Sequence, residues 1–464
     1  MKSSKKIHFE ISERKVLLKV FDVLLVLFTL YGIGTIFDFN YFTISQTNYY
    51  WAIVLAIYIH VLGSVFEMYN LQVASNQFQI IRSVILTTSV TVLVYLLTPF
   101  YTPTLPGNRI QILFFFLSIL TALLSWRLFY VKFLASHRFV KKAILVCDKE
   151  QLKELVSGIE KADSHYKFIA YINSDGNDDF DVNLLNVRNL KIEELQEFVK
   201  KNSISEIVIA SQKTEGITVN LYNQLINLLE NGFIIREYTQ LYETMTQRIP
   251  VQYVSRDFYR YFPFNRSNQN HLYMLITRIL ELIFSFIGLF FGLLFLPFIL
   301  IGNLFGNRGK LFYTQQRIGK NGKLFTIYKY RTMVKNAEAN GAVFSTSNDV
   351  RVTPFGKFMR KARLDEFPQF INIIKGDMAI IGPRPERPVF VKEIAEIMPF
   401  YETRHVIKPG LTGWAQVNYS YGDSIEDSLV KLQYDLYYIK HRSFFLDINI
   451  IIKTFSTVLY YRGQ

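Results

Sequence analysis

One cysteine, Cys147, stands in 464 residues, so no intramolecular disulfide can form and nothing demands an oxidising compartment. Seven histidines are scattered with no His-x-x-x-His or Cys-x-x-Cys spacing, which removes the usual signature of a structural zinc site. Acid is scarce relative to base: 38 Asp and Glu against 52 Lys and Arg give a net charge of +14. Such an excess suits nucleic acid, anionic lipid or a phosphorylated substrate. With 50% apolar and 16% aromatic residues, the chain is neither disordered, collagen-like nor a disulfide-stapled miniprotein. Forty-one phenylalanines and a positive mean hydropathy favour a membrane over nucleic acid.

Apolar stretches near residues 16–37, 49–68, 80–100 and 110–133 each approach the ~20 residues needed to cross a hydrocarbon core, and predict four transmembrane helices. The first is too long for a signal-peptide core and has no small-residue cleavage site after it, so it reads as retained. Lys2, Lys5, Lys6, Arg14 and Lys15 precede it, whereas residues 38–48 carry no Lys or Arg. Positive charge marks the cytoplasmic side, which places the N-terminus there. Arg138, Lys141 and Lys142 after the fourth stretch agree with an even number of crossings.

From residue 143 the pattern changes to short apolar runs (AILVC, FIAYI, EIVIA, FIIRE) alternating with amphipathic stretches near 149–162, 192–201 and 219–230. That alternation predicts a small parallel α/β module over residues 143–262. Its first strand runs into Cys147-Asp148-Lys149-Glu150 with no Gly-x-Gly turn, so a pyrophosphate could not approach a helix N-terminus in the usual way. A regulatory or dimerising role fits better than dinucleotide binding.

A fifth apolar segment covers residues 272–304. Arg278 precedes its core, while Arg308, Lys310, Arg317, Lys320 and Lys323 follow it, so both flanks carry the cytoplasmic signature. Pro297 removes a helical hydrogen bond and crowds the preceding turn, and is expected to break the helix so that it re-enters rather than crosses.

The densest chemistry follows: YTQQRIGKNGKLFTIYKYRTM at 313–333, RKARLDEFPQFINIIKGDMAIIGPRPERP at 360–388 and KPGLTGWAQVNYSYG at 408–422. Asp365 and Glu366 are adjacent, and Pro368 fits the first turn of a helix running through Phe370, which puts both carboxylates at a helix N-terminus. Ordinary capping and dipole matching would give the same residues. Their surroundings add weight, because Lys329, Arg331, Arg351, Arg360, Arg363, Arg384 and Arg387 form a set suited to several phosphate charges. A Gly382-Pro383-Arg384-Pro385 turn would hold its arginine on stiff backbone. Two acids among many bases also suit Mg2+, which takes one or two carboxylates and completes its shell with water and substrate phosphate. His405 lies near these motifs but reads equally as a loop residue. The tyrosines at 419–421 and 434–438 could stack on a base or, by preference, sit at a lipid interface.

The LDEFPQ, KGDMAIIGPRP and KPGLTGWAQVN segments resemble the bacterial sugar transferase domain, and the whole layout is similar to the long polyprenyl-phosphate hexose-1-phosphate transferases. The resemblance implies a membrane α plus α/β architecture: a four-helix transmembrane N-terminal bundle (1–142), a Rossmann-like cytoplasmic module (143–262), a linker and re-entrant membrane helix (263–305) and a mainly helical catalytic domain (306–464). It implies transfer of hexose 1-phosphate from a UDP-hexose to undecaprenyl phosphate with release of UMP, initiating exopolysaccharide, capsule or O-antigen synthesis at the inner membrane. Glucose or galactose is the sugar it suggests. Asp365 then matches the nucleophile, Glu366 its magnesium-associated partner, Arg278 the basic residue opening the re-entrant helix and Pro297 its breaking proline. Many relatives place serine before that proline; this chain has Leu296, which cannot cap the carbonyl freed at a kink. A homodimer in membrane lipid, without nucleic acid, is the expected assembly. The rival reading is an inactive scaffold or sensor that binds sugar nucleotides. A transporter would need more spans or internal repeats.

Overall fold

The apolar stretches become helices in the computed structural model, which describes residues 11–37, 39–74, 77–98, 100–134, 140–163, 166–174, 187–210, 218–251, 270–335, 337, 349–398, 400–419 and 425–459. Lys2, Lys5, Lys6, Arg138 and Tyr421 lie outside the described residues, as do residues 252–262 of the expected α/β module. The chain divides into two compact units, Met1–Tyr238 and Thr239–Gln464.

The first unit opens with helices Ile11–Ile36, Tyr50–Val65, Gln77–Leu97 and Ile110–Phe129. Leu18, Val26, Leu30, Leu55, Ile59, Val84, Phe115, Ile119 and Leu123 pack between them. The outward faces stay apolar too, with Val16, Leu24, Phe28 and Tyr31 exposed, the pattern of helices whose solvent is lipid. Spans of membrane-crossing length are Glu13–Ile36, Gln77–Leu97, Ile110–Phe133 and His271–Asn307. The second expected crossing is shorter than its apolar stretch. Tyr50–Val65 has 16 residues, or about 24 Å at 1.5 Å per residue. It stops because Glu67 takes a left-handed conformation (φ 60°) and the Met68 N–H turns back to the Gly63 carbonyl, 2.7 Å away.

Strands β1 (Lys141–Cys147), β2 (Tyr166–Asn173), β3 (Arg188–Asn189), β4 (Glu206–Ile209) and β5 (Ile234–Glu237) form one sheet in the order β3-β2-β1-β4-β5, parallel throughout. Parallel neighbours need crossovers, and helices Leu152–Glu160, Leu195–Asn202 and Val219–Glu230 occupy three of the intervening segments. The amphipathic stretches of the sequence are these helices.

The second unit is mainly helical. It begins its long element at His271, where the Asn270 side chain accepts from the Tyr273 N–H, and runs as one helix to Gly302. Pro297 lies inside that helix and does not end it, as membrane helices allow where neighbours re-satisfy the freed backbone group. The end comes at the π-helical turn Asn303–Asn307, closed by Arg308 at φ 50°. The antiparallel hairpin of β6 (Phe312–Ile318) and β7 (Leu324–Tyr330) follows, and later β8 (Ala379–Ile381) pairs in parallel with β9 (Gly410–Thr412). Helices Pro388–Ile397, Ile425–His441 and Phe444–Leu459 enclose Trp414, Leu432, Leu436 and Ile450 in the core.

Candidate active site

The acid pair sits in a tight turn between two short helices. Pro354–Lys361 starts at Thr353, whose hydroxyl accepts from the Gly356 N–H at 2.9 Å, with proline in the first turn. Arg363 then takes φ 57°, which reverses the chain into the single 3-10 turn Leu364–Glu366. Pro368 begins the helix Gln369–Lys375. The carboxylates therefore lie just ahead of that helix, at its N-terminus as the sequence suggested, in a turn of their own to which left-handed Arg363 adds a bend that residue type does not announce.

Three contacts fix this turn. Phe367 and Phe370, immediately behind the acids, press on Gly292 and Gly288 of the long helix, where a Cβ would collide with the Phe370 ring. Arg278, from the same helix, forks onto the carbonyls of Ile373 (2.7 Å) and Ile374 (2.8 Å) and pairs with Glu281 at 3.2 Å. Buried Asn372 accepts from the Tyr328 N–H at 3.1 Å and donates to the Thr326 carbonyl at 2.7 Å. That clamp delivers Lys329, the next residue of β7, to the acids.

Glu366 is buried, and its oxygens face Arg363 at 3.4 Å, Arg384 at 3.5 Å and Lys329 at 3.7 Å. Burial alone would raise its pKa; the three cations overcome that and hold it low. Asp365, equally buried, accepts no hydrogen bond among the described residues, and burial together with the Glu366 charge pushes its pKa up. Lys329 is brought down to about 8, first by burial and then by Arg384 and Arg317, against the pull of Glu366 and Asp365. One carboxylate is held ionised by three cations, and the other accepts no hydrogen bond among the described residues.

The turn bearing Arg384 is fastened through its backbone. Four consecutive carbonyls each accept from a different place: Pro383 from the Gly410 N–H (2.9 Å), Arg384 from the Arg404 guanidinium (3.1 Å), Pro385 from that of Arg317 (3.2 Å) and Glu386 from the Ile318 N–H (3.1 Å). Arg404 is itself buried against Asp435 at 2.7 Å and Tyr401 at 2.5 Å. Gly382, Gly410 and Gly413 let the two loops approach so closely that a Cβ on any of them would meet backbone.

The family described as "Bacterial sugar transferase" matches residues 272–461, the stretch that carries all of this geometry. A relative from Bacillus subtilis (strain 168), the uncharacterized sugar transferase EpsL, is 38% identical over 157 residues, 33% of this chain and 72% of that protein. The chain belongs to the bacterial sugar transferase family. Another relative, the UDP-N-acetylgalactosamine-undecaprenyl-phosphate N-acetylgalactosaminephosphotransferase of Aeromonas hydrophila, is 38% identical over 222 residues, covering 47% of this chain and 51% of that protein. The chain thus matches about half of that relative's length. Likeness to the galactosyl transferase CpsE of Streptococcus agalactiae serotype III (strain NEM316) is lower, 28%, but extends over 74% of this chain and 77% of that one.

In this sugar transferase the expected cations divide by what they hold. Lys329, Arg363 and Arg384 converge on Glu366. Arg360 donates to the Thr332 hydroxyl at 2.9 Å and is close enough to Asp365 to favour its charge. Arg331 donates to the Asn307 carbonyl at 3.0 Å and accepts from its side chain, which ties it to the end of the long helix. Arg351 pairs with Asp349, Arg387 stacks on Phe390, and Arg278 caps the helix behind the acids. His405 is pressed down to about 4 by burial and by Arg404, so it is neutral near pH 7. The tyrosines expected at an interface are partly core: Tyr434 and Tyr438 are buried, the latter donating to Asp447 at 2.8 Å, and Tyr437 stacks on Trp414. Arg404, Asp435 and Asn372 went unread in the sequence, and Arg317 was read only as a flanking charge of the fifth apolar segment; only their adjacency to the named motifs could have flagged them. No group of three or more His, Cys, Asp or Glu able to hold a metal occurs among the described residues.

Proposed function

We propose that the protein transfers hexose 1-phosphate from a UDP-hexose to undecaprenyl phosphate, releasing UMP, at the cytoplasmic face of the bacterial inner membrane, as the first step of exopolysaccharide, capsule or O-antigen assembly. The observation that carries this is the turn holding an unengaged Asp365 beside a Glu366 ringed by three cations. An Asp365 carboxylate oxygen attacks the phosphorus bearing the sugar; the bond from that phosphorus to the bridging oxygen breaks and UMP leaves with the electron pair. An oxygen of undecaprenyl phosphate then attacks the resulting acyl phosphate, and Asp365 departs as carboxylate. Splitting the reaction lets a soluble donor and a lipid acceptor use one site in turn. Arg384, Arg363 and Lys329 bind the pyrophosphate charge, and the fastened backbone holds Arg384 in place. The curated names of relatives, among them the undecaprenyl-phosphate transferase of Aeromonas, support the same chemistry.

Magnesium suits the pair, since the cations stand 3.4–3.7 Å from Glu366 rather than at close hydrogen-bond length, leaving its lone pairs available. Such an ion, when bound through Glu366, supplies charge neutralisation at the phosphates. Glu366→Gln should therefore shift the magnesium concentration needed for half-maximal rate; an unchanged titration removes the metal assignment.

The long helix fits an embedded rather than crossing element. Arg278 near one end and Gly306 near the other both touch the segment spanning residues 355–374, across about 40 Å of helix. A crossing helix would draw this charged site through ~30 Å of hydrocarbon. We also read the β3-β2-β1-β4-β5 sheet as the Rossmann-like module. Incubating the purified full chain with radiolabelled UDP-hexoses and undecaprenyl phosphate should yield a lipid-linked sugar and UMP, with labelled protein trapped when the lipid is withheld. Labelled lipid made at the normal rate by Asp365→Asn overturns the mechanism. Single cysteines at His271 and Asn321 in a Cys147→Ser background should react from one side; opposite sides overturn embedding.

A further inference from the structure

The first unit holds a second concentration of charge, remote in sequence from the acid pair. Helix Ile11–Ile36 buries a stripe containing Leu18, Asp22, Val26 and Leu30, and Lys15 and Lys19 continue it towards the helix start, each only partly exposed. Their sequence neighbours Val16 and Val20 face outward instead. The two lysines are four residues apart, on one helical face, where like charges repel. Neither makes an ion pair with an acid among the described residues.

What they face is equally short of negative charge. Asp22 is paired with Arg127 of the helix Ile110–Phe129, both fully buried. The Arg127 guanidinium stands 5.2 Å from the centroid of the Tyr69 ring, and the Lys19 ammonium stands 5.4 Å from the same ring. His60 also lies against that ring, 5.6 Å between centroids. Arg127 spends one nitrogen on Asp22, while its Nε and Nη1 are buried without a hydrogen-bond partner. Nearby Arg14 is satisfied by Asp163 at 3.0 Å. Asp22 Oδ1 and the Tyr69 hydroxyl are likewise buried without a partner; counting Lys15, Lys19 and Arg127 against Asp22, the cluster carries two positive charges that no acid among the described residues compensates.

Simple snorkelling, in which a lysine stem lies along the helix and the ammonium reaches water, explains lysines that face outward near a helix end. It does not explain two half-buried lysines on one face, one of which shares an aromatic ring with a buried arginine that has two donor nitrogens without a partner among the described residues. A tetrahedral anion with several acceptor oxygens is the complement of such a site, and at the end of a membrane helix the available anions of that kind are lipid head groups.

We propose that Lys15, Lys19 and Arg127 form a binding site for the phosphate head group of a membrane lipid, built into the N-terminal bundle. Phosphate is the recognised chemistry, and either a glycerophospholipid or the polyprenyl phosphate can present it. This goes beyond the proposed transfer reaction and does not depend on it.

Native mass spectrometry of the full chain in detergent tests the site, titrating dioleoyl phosphatidylglycerol, dioleoyl phosphatidylcholine, undecaprenyl phosphate and inorganic phosphate in separate arms. The expected result is one saturable adduct with a phosphate-bearing anionic lipid, weakened roughly thirtyfold in Lys15→Gln/Lys19→Gln, since each lysine near a membrane surface adds about a factor of five. Lys15→Arg/Lys19→Arg should restore it, which separates lost charge from lost fold. A tighter undecaprenyl phosphate adduct identifies the polyprenyl source, and a tighter phosphatidylglycerol adduct the glycerophospholipid source; either supports the site. Equal binding of phosphatidylcholine, an adduct unchanged by the double glutamine variant, failure of the arginine variant to restore binding, or displacement by inorganic phosphate alone at the same concentrations would overturn it.

Discussion

Two buried glutamates, one in each half of the chain, are surrounded by positive charge, and the distances separate their purposes. Glu206 at the start of β4 meets Lys141 at 2.8 Å, the Tyr166 hydroxyl at 2.5 Å and Arg236 at 3.4 Å, with no exposed side-chain surface. Glu366 has three cations where Glu206 has two and a hydroxyl, but all three stand at 3.4–3.7 Å, and it keeps 11% of its side-chain surface open. The first is a closed cluster, with a lysine and a tyrosine hydroxyl at close hydrogen-bond length and no side-chain surface left open. At the second the cations stand off, so a newcomer with negative oxygens can share them. Spacing, more than the number of charges, distinguishes a structural knot from a site for phosphate.

That contrast can be broken at several points. Asp365→Asn should have the largest effect, lowering turnover by at least about a thousandfold while the melting temperature stays near wild type, because the size is kept and only the nucleophilic charge goes. An enzyme retaining a few per cent of its rate would remove the covalent role. Arg404→Gln is next: with the Arg384 carbonyl released, KM for the nucleotide sugar should rise about tenfold with a smaller change in kcat, alongside a loss of ~3 kcal/mol from the broken buried pair with Asp435. Steady-state kinetics beside a denaturant curve would separate the two, and a fall in kcat alone would argue against positioning.

A smaller effect concerns pH. In the proposed mechanism Asp365 attacks as a carboxylate, and its pKa is raised, so the rate should fall on acidification at a higher pH than an ordinary aspartate would give. Lys329 loses its charge as the pH climbs through about 8, so the rate should also fall on the alkaline side. Lys329→Arg keeps the charge well above that range and should carry the alkaline limb upward by more than one pH unit; a limb that stays put assigns it elsewhere. Smallest on the rate should be Glu206→Gln, which leaves Lys141 and Arg236 facing a neutral group. It should cost about 3 kcal/mol of stability and leave kcat/KM of the folded enzyme unchanged, and a kinetic effect as large as that of Arg404→Gln would erase the distinction drawn here.

Much of this was legible where a local rule governs. Alternating apolar runs became β1, β2, β4 and β5, and the helix expected at 219–230 is Val219–Glu230. Asp365, Glu366, Lys329, Arg363 and Arg384 meet because the motifs that carry them fold against one another. Other features depend on the partner, which local sequence does not reveal. Nothing about Arg278 says that its fork will cap Gln369–Lys375, and Arg331 looks as available as Lys329 until Asn307 takes it. Pro297 reads as a break because propensity scales describe helices in water, yet here the helix runs on. Arg404 and Asp435 resemble surface charges 31 residues apart, and only the fold buries them as a pair.

The glycines of the long helix set an altitude. Phe370 on Gly288, Phe367 on Gly292 and Phe355 against Gly302 and Gly306 lodge the acid turn at fixed notches along one rod. The height of Asp365 relative to the bilayer is then decided by how deep that rod lies, and the height of an acceptor's phosphate by the bilayer itself. For the embedded helix and two-step transfer proposed above, the two coincide only in a membrane of suitable thickness, and the acyl chains of the host lipid then become a silent participant in whether donor and acceptor reach the same carboxylate.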